Sequence, residues 1–149
     1  MKSSLAMVAL CVVLTTAMQG VKADHNEDVE AAKEIMRGLA AECKNKEGAS
    51  DDDVETFVED KMPETRTQKC LAGCMQEQFG ISNGKEFQED GFEEVAKMLL
   101  KGDEEKMKVA REIGNDCKDV KNDDRCELAL DIMSCLKESA EKHGIELKH

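Results

Sequence analysis

Aromatic and imidazole side chains are scarce in this chain. It contains no tryptophan or tyrosine and only four phenylalanines in 149 residues, so a binding site in it cannot offer an indole or phenol hydrogen bond to a ligand. Its three histidines, His25, His143 and His149, lie toward the ends of the sequence that follows the apolar N-terminal segment. Nucleophilic catalysis requires a base held firmly beside the nucleophile. Because histidines near chain ends are poorly placed for that role, we do not expect an enzyme.

Long hydrophobic runs are also scarce. One apolar run, from Leu5 to Leu14, follows the positive Lys2, and the small residue Ala23 closes the segment. The run is shorter than the roughly 20 residues that a membrane-spanning helix needs, and no second run follows it. These features predict a secretory signal peptide over residues 1–23 and a secreted, extracellular domain over residues 24–149. Cleavage there would remove Cys11 and leave an even set of six cysteines.

Positive charge is outnumbered by negative charge. The formal net charge of the whole chain is −12, and it becomes −14 once Lys2 and Lys22 leave with the signal peptide. Such a chain is repelled by nucleic acid and by anionic lipid, so neither is expected as a partner. Charged residues make up 36% of the sequence, a level also found in disordered chains. Periodic apolar positions and the cysteines favour a folded domain instead.

The apolar residues recur at three- and four-residue steps, with almost no strict alternation, which is typical of helices. Ser50, and Thr65 together with Gln68, are suited to cap helix N termini, and Pro63, the only proline, forces a break between them. The sequence therefore predicts an all-α fold of six helices. The first runs from about Val29 to Lys44, the fourth from about Gln88 to Lys101, and the sixth from about Arg125 to Lys142. The second is capped by Ser50 and buries Val54, Phe57 and Val58. The third begins at the Thr65 capping box and carries Cys70 through Phe79, and the fifth follows the break at Gly102 and Asp103 and runs to about Cys117. The fourth is expected to bury Phe92, Val95, Met98 and Leu99.

The spacing of the six cysteines excludes some disulfide pairings. Cys70 and Cys74 lie one turn apart on the third helix, where a rigid helix keeps their sulfurs from meeting with good torsion. Cys126 and Cys135 lie on opposite faces of the sixth helix, roughly 13 Å apart along its axis. Without these two pairs, ten of the fifteen possible connectivities remain open.

The cysteine pattern resembles the signature of the insect odorant-binding and pheromone-binding proteins. The gaps between Cys43, Cys70, Cys74, Cys117, Cys126 and Cys135 are 26, 3, 42, 8 and 8 residues, and the resemblance extends over the whole mature chain. Short stretches such as 77–80 (Glu-Gln-Phe-Gly) and 124–127 (Asp-Arg-Cys-Glu) are similar to family sequences too. The resemblance implies a compact six-helix domain with three interlocked disulfides, Cys43–Cys74, Cys70–Cys126 and Cys117–Cys135, around an enclosed apolar cavity.

The same resemblance implies a carrier of small hydrophobic ligands, such as odorants or pheromones, through aqueous lymph. It also suggests a membrane odorant receptor as a further partner and a monomer or weak homodimer as the oligomeric state. With few polar aromatic groups available, ligand selection is expected to follow shape and apolar area, with Thr56, Ser134 or backbone groups meeting any ligand polarity. The residues expected to form the apolar wall are Ile35, Leu39, Phe57, Leu71, Met75, Phe92, Met98, Met107, Ile113, Met133 and Leu136.

The C-terminal tail is a candidate lid for this cavity. Ile145 and Leu147 alternate with polar residues, as a half-buried extended segment requires. Protonation of His143 or His149 at low pH would then loosen the lid and release the ligand. A frayed terminus is the alternative.

No cofactor or metal site is expected. The stretch from Asp119 begins like a calcium-binding EF-hand loop, but Asp124 stands where glycine is required and Leu130 where a bidentate glutamate is required. Two other functions remain open: a saposin-like domain that interacts with lipids, and a disulfide-stapled protein-interaction module with a filled core.

Overall fold

The computed structural model describes residues 29–145. Leu147, half of the predicted lid, and the predicted signal peptide lie outside this range. The described part of the chain is all-α, as predicted, with six helices and no named strand. The helices are α1 (29–47), α2 (Asp51–Val58), α3 (Arg66–Gln78), α4 (Glu89–Leu100), α5 (Glu104–Asp116) and α6 (Arg125–Lys142). Among these helices, none is long and apolar enough to cross a membrane.

The chain divides between Gly38 and Leu39 into two units. The described part of the first unit is the beginning of α1, residues 29–38. It is held by ion pairs one turn apart, among them Arg37 Nη1 to Glu34 Oε1 at 2.6 Å. Ile35, expected in a cavity wall, is 64% exposed there. The second unit contains the remainder of the helices and all six cysteines of the predicted mature chain.

Local side chains determine where the helices of the second unit begin. Ser50 and Asp53 form a reciprocal capping box at the start of α2, and Thr65 and Gln68 form another at the start of α3, as the sequence predicts. Asp124 caps α6 by accepting from the backbone N–H groups of the second and third helical residues. Each cap satisfies donors that a helix N terminus would otherwise leave unpaired.

Three disulfides join the helices. They are Cys43–Cys74, Cys70–Cys126 and Cys117–Cys135, with Cα–Cα distances of 5.8, 4.3 and 5.9 Å. This is the pairing that the family resemblance implies. The covalent links therefore connect the end of α1 to α3, α3 to α6, and the end of α5 to α6.

Helices α3 and α6 pack closely against each other. Cys70 is bonded to Cys126, and Arg66 Nη1, one turn earlier on α3, pairs with Asp124 Oδ2 at 2.7 Å at the start of α6. Gly73 makes this close approach possible, because a Cβ atom there would lie 2.9 Å from the Arg125 carbonyl oxygen. Two residues before and two residues after the glycine, Leu71 and Met75 are completely buried.

Two further apolar clusters complete the core of the second unit. In one, Phe87, Cys117, Leu128 and Ile132 are buried, and Phe92 and Leu136 pack against them. In the other, Ala96 of α4 meets Met107 and Ala110 of α5, with Leu100 packed alongside.

The predicted burial of Met98 and Leu99 is wrong. These side chains are 71% and 65% exposed, because α4 packs against α5 through Ala96 and Leu100. At about 100° per residue, Met98 then faces away from α5. Two apolar rows run along α4: Ala96 with Leu100, and Val95 with Leu99. The position of α5 decides which of these rows is buried.

The segment between α3 and α4 contains ordered structure that the helical pattern does not predict. Its Asn83 side-chain oxygen accepts hydrogen bonds from the backbone N–H groups of Lys85 and Glu86 at 2.9 and 2.7 Å. An antiparallel bridge pairs Ser82 with Phe87. Gly80 then lies so close to Gly91 of α4 that a Cβ atom on Gly91 would be 1.8 Å from the Gly80 carbonyl oxygen.

Candidate ligand-binding site

A small pocket lies between α2, α3 and α6. Its apolar part consists of Phe57, Ala72 and Met133, and its volume, measured to the centre of a water molecule, is about 10 Å³. A space of that size holds about one water. The other lining residues are Asp53, Thr56, Lys61, Pro63 and Gln68. The pocket therefore combines an apolar side with a polar one, at a volume far below that of an odorant-sized molecule.

The charged side of the pocket is built by the α2 cap. Asp53 accepts a hydrogen bond from the Ser50 backbone N–H at 3.0 Å and another from the Gln68 side-chain nitrogen at 3.1 Å. These bonds, the Ser50 backbone bond first, lower the pKa of Asp53. The carboxylate is consequently ionised at neutral pH and hydrogen-bonded to the start of α3. A charged group of this kind does not provide a favourable contact for an apolar ligand.

The structure distributes the predicted wall residues over several places. Phe57 and Met133 line the pocket together. Leu71 and Met75 are fully buried on α3, Met107 is buried against Ala96, and Ile113 is 6% exposed. Phe92 and Leu136 pack against the cluster around Phe87. The exposed members are Ile35, Leu39 and Met98, at 64%, 44% and 71%.

The predicted lid is only partly within the described residues. Helix α6 ends at Lys142, and the Ile145 backbone N–H donates to the Ala140 carbonyl oxygen at 2.9 Å across a turn with Gly144 at φ +81°. The side chain of Ile145 is 39% exposed. Residues as far as Ile145 therefore complete a helix end and do not form an extended segment.

A polar cluster lies where the ends of α5 and α6 meet. Ser139 Oγ donates to Asp116 Oδ2 at 2.7 Å, and His143 Nε2 lies 3.0 Å from the same oxygen. His143 Nδ1 is 3.4 Å from Glu112 Oε2. The bonds from Ser139 and His143 lower the pKa of Asp116. Because Asp116 separates the serine from the histidine, the histidine is not placed to take the serine proton, as a nucleophile would require.

Gln76 is a buried polar residue that the sequence reasoning missed. It is 6% exposed, and its side-chain nitrogen donates to the Ala129 carbonyl oxygen at 3.2 Å, joining α3 to α6. Its side-chain oxygen is buried and has no hydrogen-bond partner among the described residues. The sequence signal was weak: Gln76 lies on the same helix face as Ala72, one turn later, within a run that is otherwise buried.

Comparison with known proteins gives matches over most of the chain. The model of the PBP/GOBP family matches residues 25–139. General odorant-binding protein 19d of Drosophila melanogaster is 34% identical over 113 residues, which cover 74% of this chain and 75% of the relative. General odorant-binding protein 28a of the same organism is 35% identical over 122 residues, covering 80% of this chain and 84% of the relative.

Solved structures agree with the sequence matches. The structure of the Drosophila melanogaster odorant-binding protein OBP28a superposes with a TM-score of 0.64 at 32% identity, covering 78% of this chain and 97% of that one. A pheromone-binding protein of the cockroach Leucophaea maderae, solved in complex with the fluorescent reporter ANS, has a TM-score of 0.59 at 27% identity. That match covers 71% of this chain and 92% of the cockroach protein.

Proposed function

The chain belongs to the PBP/GOBP family, and we propose that it acts as a non-enzymatic extracellular carrier, which binds small hydrophobic molecules and moves them through aqueous lymph. The single observation that carries this proposal is the family match over residues 25–139. The three disulfides join the six cysteines whose spacing marks the resemblance. A saposin-like or protein-interaction role is not favoured by these matches.

The pocket between α2, α3 and α6 is the proposed point of ligand entry. Two observations support this assignment: the pocket is lined by Phe57, Ala72 and Met133, and α2 carries no disulfide. A ligand with ten or more carbons needs far more room than one water, so binding requires these side chains to rearrange. Methionine suits that task because its unbranched side chain adopts many shapes at low cost.

The binding energy comes mainly from apolar burial. At about 25 cal/mol per Å², burying about 300 Å² of ligand surface yields about 7 kcal/mol before the costs of association. A micromolar dissociation constant corresponds to about 8 kcal/mol net of those costs, so it requires more buried area than this figure, with the pocket wall counted as well as the ligand. We further propose that residues 1–23 are removed on secretion, that delivery involves a membrane odorant receptor, and that the carrier is a monomer or weak homodimer.

The natural absence of tryptophan and tyrosine gives this protein a direct test. In Met133→Trp, the new side chain is the sole indole and lies at the pocket. The matched control is Met98→Trp, at a methionine that is 71% exposed. Titration with 1-decanol is expected to shift the emission of the first variant to shorter wavelength and to leave the second unchanged. Equal shifts in both variants would contradict the pocket assignment.

The carrier function itself is tested with a neutral dye, N-phenyl-1-naphthylamine. Saturable dye fluorescence, reversed by long-chain volatiles at micromolar concentrations, is expected for the oxidised protein. The control is the same protein after reduction of its disulfides, which should lose dye binding with the fold. If the oxidised protein binds neither the dye nor any apolar compound of a panel of pheromone-like, plant-volatile and fatty-acid probes, the carrier proposal fails.

A further inference from the structure

A buried hydrogen-bond acceptor without a partner is a costly feature in a folded protein. Most buried side-chain polar atoms have a partner, and an exception calls for an explanation such as a bound group. The Gln76 side-chain oxygen is such an exception within the described residues. The orientation of the amide follows from its other end, because the nitrogen must face the Ala129 carbonyl oxygen, which only accepts.

Gln76 does not line the pocket itself, but it lies one turn from a lining residue on α3, and its hydrogen-bond partner Ala129 lies one turn from another on α6. Ala72, one turn before Gln76 on α3, lines the pocket, and so does Met133, one turn after Ala129 on α6. Ligand entry that moves the Met133 side chain therefore opens space next to the α3–α6 contact that Gln76 bridges. Three other polar side chains at the pocket already have partners. Thr56 Oγ1 donates to the Asp52 carbonyl oxygen at 3.1 Å, and the Asp53 carboxylate accepts from the Ser50 backbone N–H and from the Gln68 side-chain nitrogen.

We propose that the Gln76 side-chain oxygen is the polar recognition group of the ligand compartment, and that it selects ligands carrying a hydroxyl donor, such as long-chain primary alcohols. This inference rests on the proposed carrier function. A hydroxyl group supplies the donor that the oxygen lacks. An ether or an aldehyde of the same length only accepts, so it leaves that oxygen unpaired, and a carboxylate adds repulsion between its charge and the oxygen.

Selectivity in the unaltered protein is the first test. The concentrations of 1-decanol and of its methyl ether that displace N-phenyl-1-naphthylamine are compared, with decanal as a second acceptor-only ligand. We expect the alcohol to bind about tenfold more tightly than either, a difference of about 1.4 kcal/mol. This measurement needs no variant, and equal affinities for the three ligands would overturn the inference.

Gln76→Met is the second test, because methionine has a similar volume and lacks the oxygen. The alcohol preference is expected to disappear, with affinity for the ether retained. Gln78→Met is the matched control, since Gln78 lies on the same helix and is exposed, and it should keep the preference. A preference that persists in Gln76→Met would show that another group recognises the hydroxyl and would overturn the inference. Failure of every ligand and of the dye to bind would instead overturn the carrier function on which the inference rests.

Discussion

Gly80 and Gly91 lie so close together that adding one methyl group at Gly91 should destabilise the fold strongly. In Gly91→Ala, the new Cβ atom would lie 1.8 Å from the Gly80 carbonyl oxygen and 2.4 Å from its carbonyl carbon. A carbon and a carbonyl oxygen in contact are normally about 3.3–3.6 Å apart. The start of α4 must therefore move by about 1.5 Å relative to the preceding segment.

That movement is resisted by hydrogen bonds on both sides of the contact. The Ile81 N–H donates to the Gln76 carbonyl oxygen at 2.9 Å, and the Gln88 N–H donates to the Ile81 carbonyl oxygen at 2.7 Å. Overpacking of this kind costs about 3 kcal/mol or somewhat more, and alanine recovers about 0.5–1 kcal/mol of helix propensity. The free energy of unfolding should fall by about 2–3 kcal/mol, which lowers Tm by about 10 °C.

Thermal unfolding followed by far-UV circular dichroism measures this effect, with the disulfides intact in every sample. Gly38→Ala is the control, because Gly38 is also helical but a Cβ atom there has nothing within 4 Å. It should raise Tm by a few degrees through helix propensity alone. A Tm for Gly91→Ala within about 2 °C of the unaltered protein, or a similar fall in both variants, would refute the reasoning.

Two further predictions concern the junction of α3 and α6. Gly73→Ala should lower Tm by less than Gly91→Ala, because its Cβ atom meets the Arg125 carbonyl oxygen at 2.9 Å; a differential scanning calorimetry series that reverses this order would contradict the packing. The hydrogen bond from Arg66 is the main cause that lowers the pKa of Asp124 to about 2, from about 3.9 in the unfolded chain. Stability from this depressed pKa is fully present above about pH 4 and is lost as the pH falls toward 2. In Asp124→Asn, which can still cap α6, Tm should fall less steeply between about pH 4 and pH 2. If Tm depends on pH in the variant as it does in the unaltered protein, the titration of Asp124 is not the cause of the acid destabilisation.

Features that depend on neighbouring residues in the sequence could be predicted from it. The capping box of Thr65 and Gln68 and the span of α6 from Arg125 to Lys142 are confirmed, since caps and helical periodicity act within a few residues. The pairing of the cysteines was different: spacing alone left ten connectivities open, and the family resemblance supplied the one that the structure contains.

Features that depend on which helices meet could not be read from the pattern. On α4, the row of Val95 and Leu99 is more hydrophobic than the row of Ala96 and Leu100, yet the second row is the one that packs against Met107 of α5. The candidate site shows the same limit. Phe57 and Met133, two of the predicted wall residues, lie together at the small pocket, and their role in ligand binding stays a prediction. Gln76, a polar residue, was overlooked because its burial arises from the close approach of α3 and α6.

The distribution of the disulfides has a consequence for local opening. Cross-links tie α1, α3, α6 and the end of α5 into one covalent framework, while α2 and α4 contain no cysteine. Backbone amides in these two helices should therefore exchange with deuterium through partial unfolding, at rates well above those of α3 and α6. Protection that rises in α2 when an alcohol is added would then identify α2 as the hinged wall of the compartment.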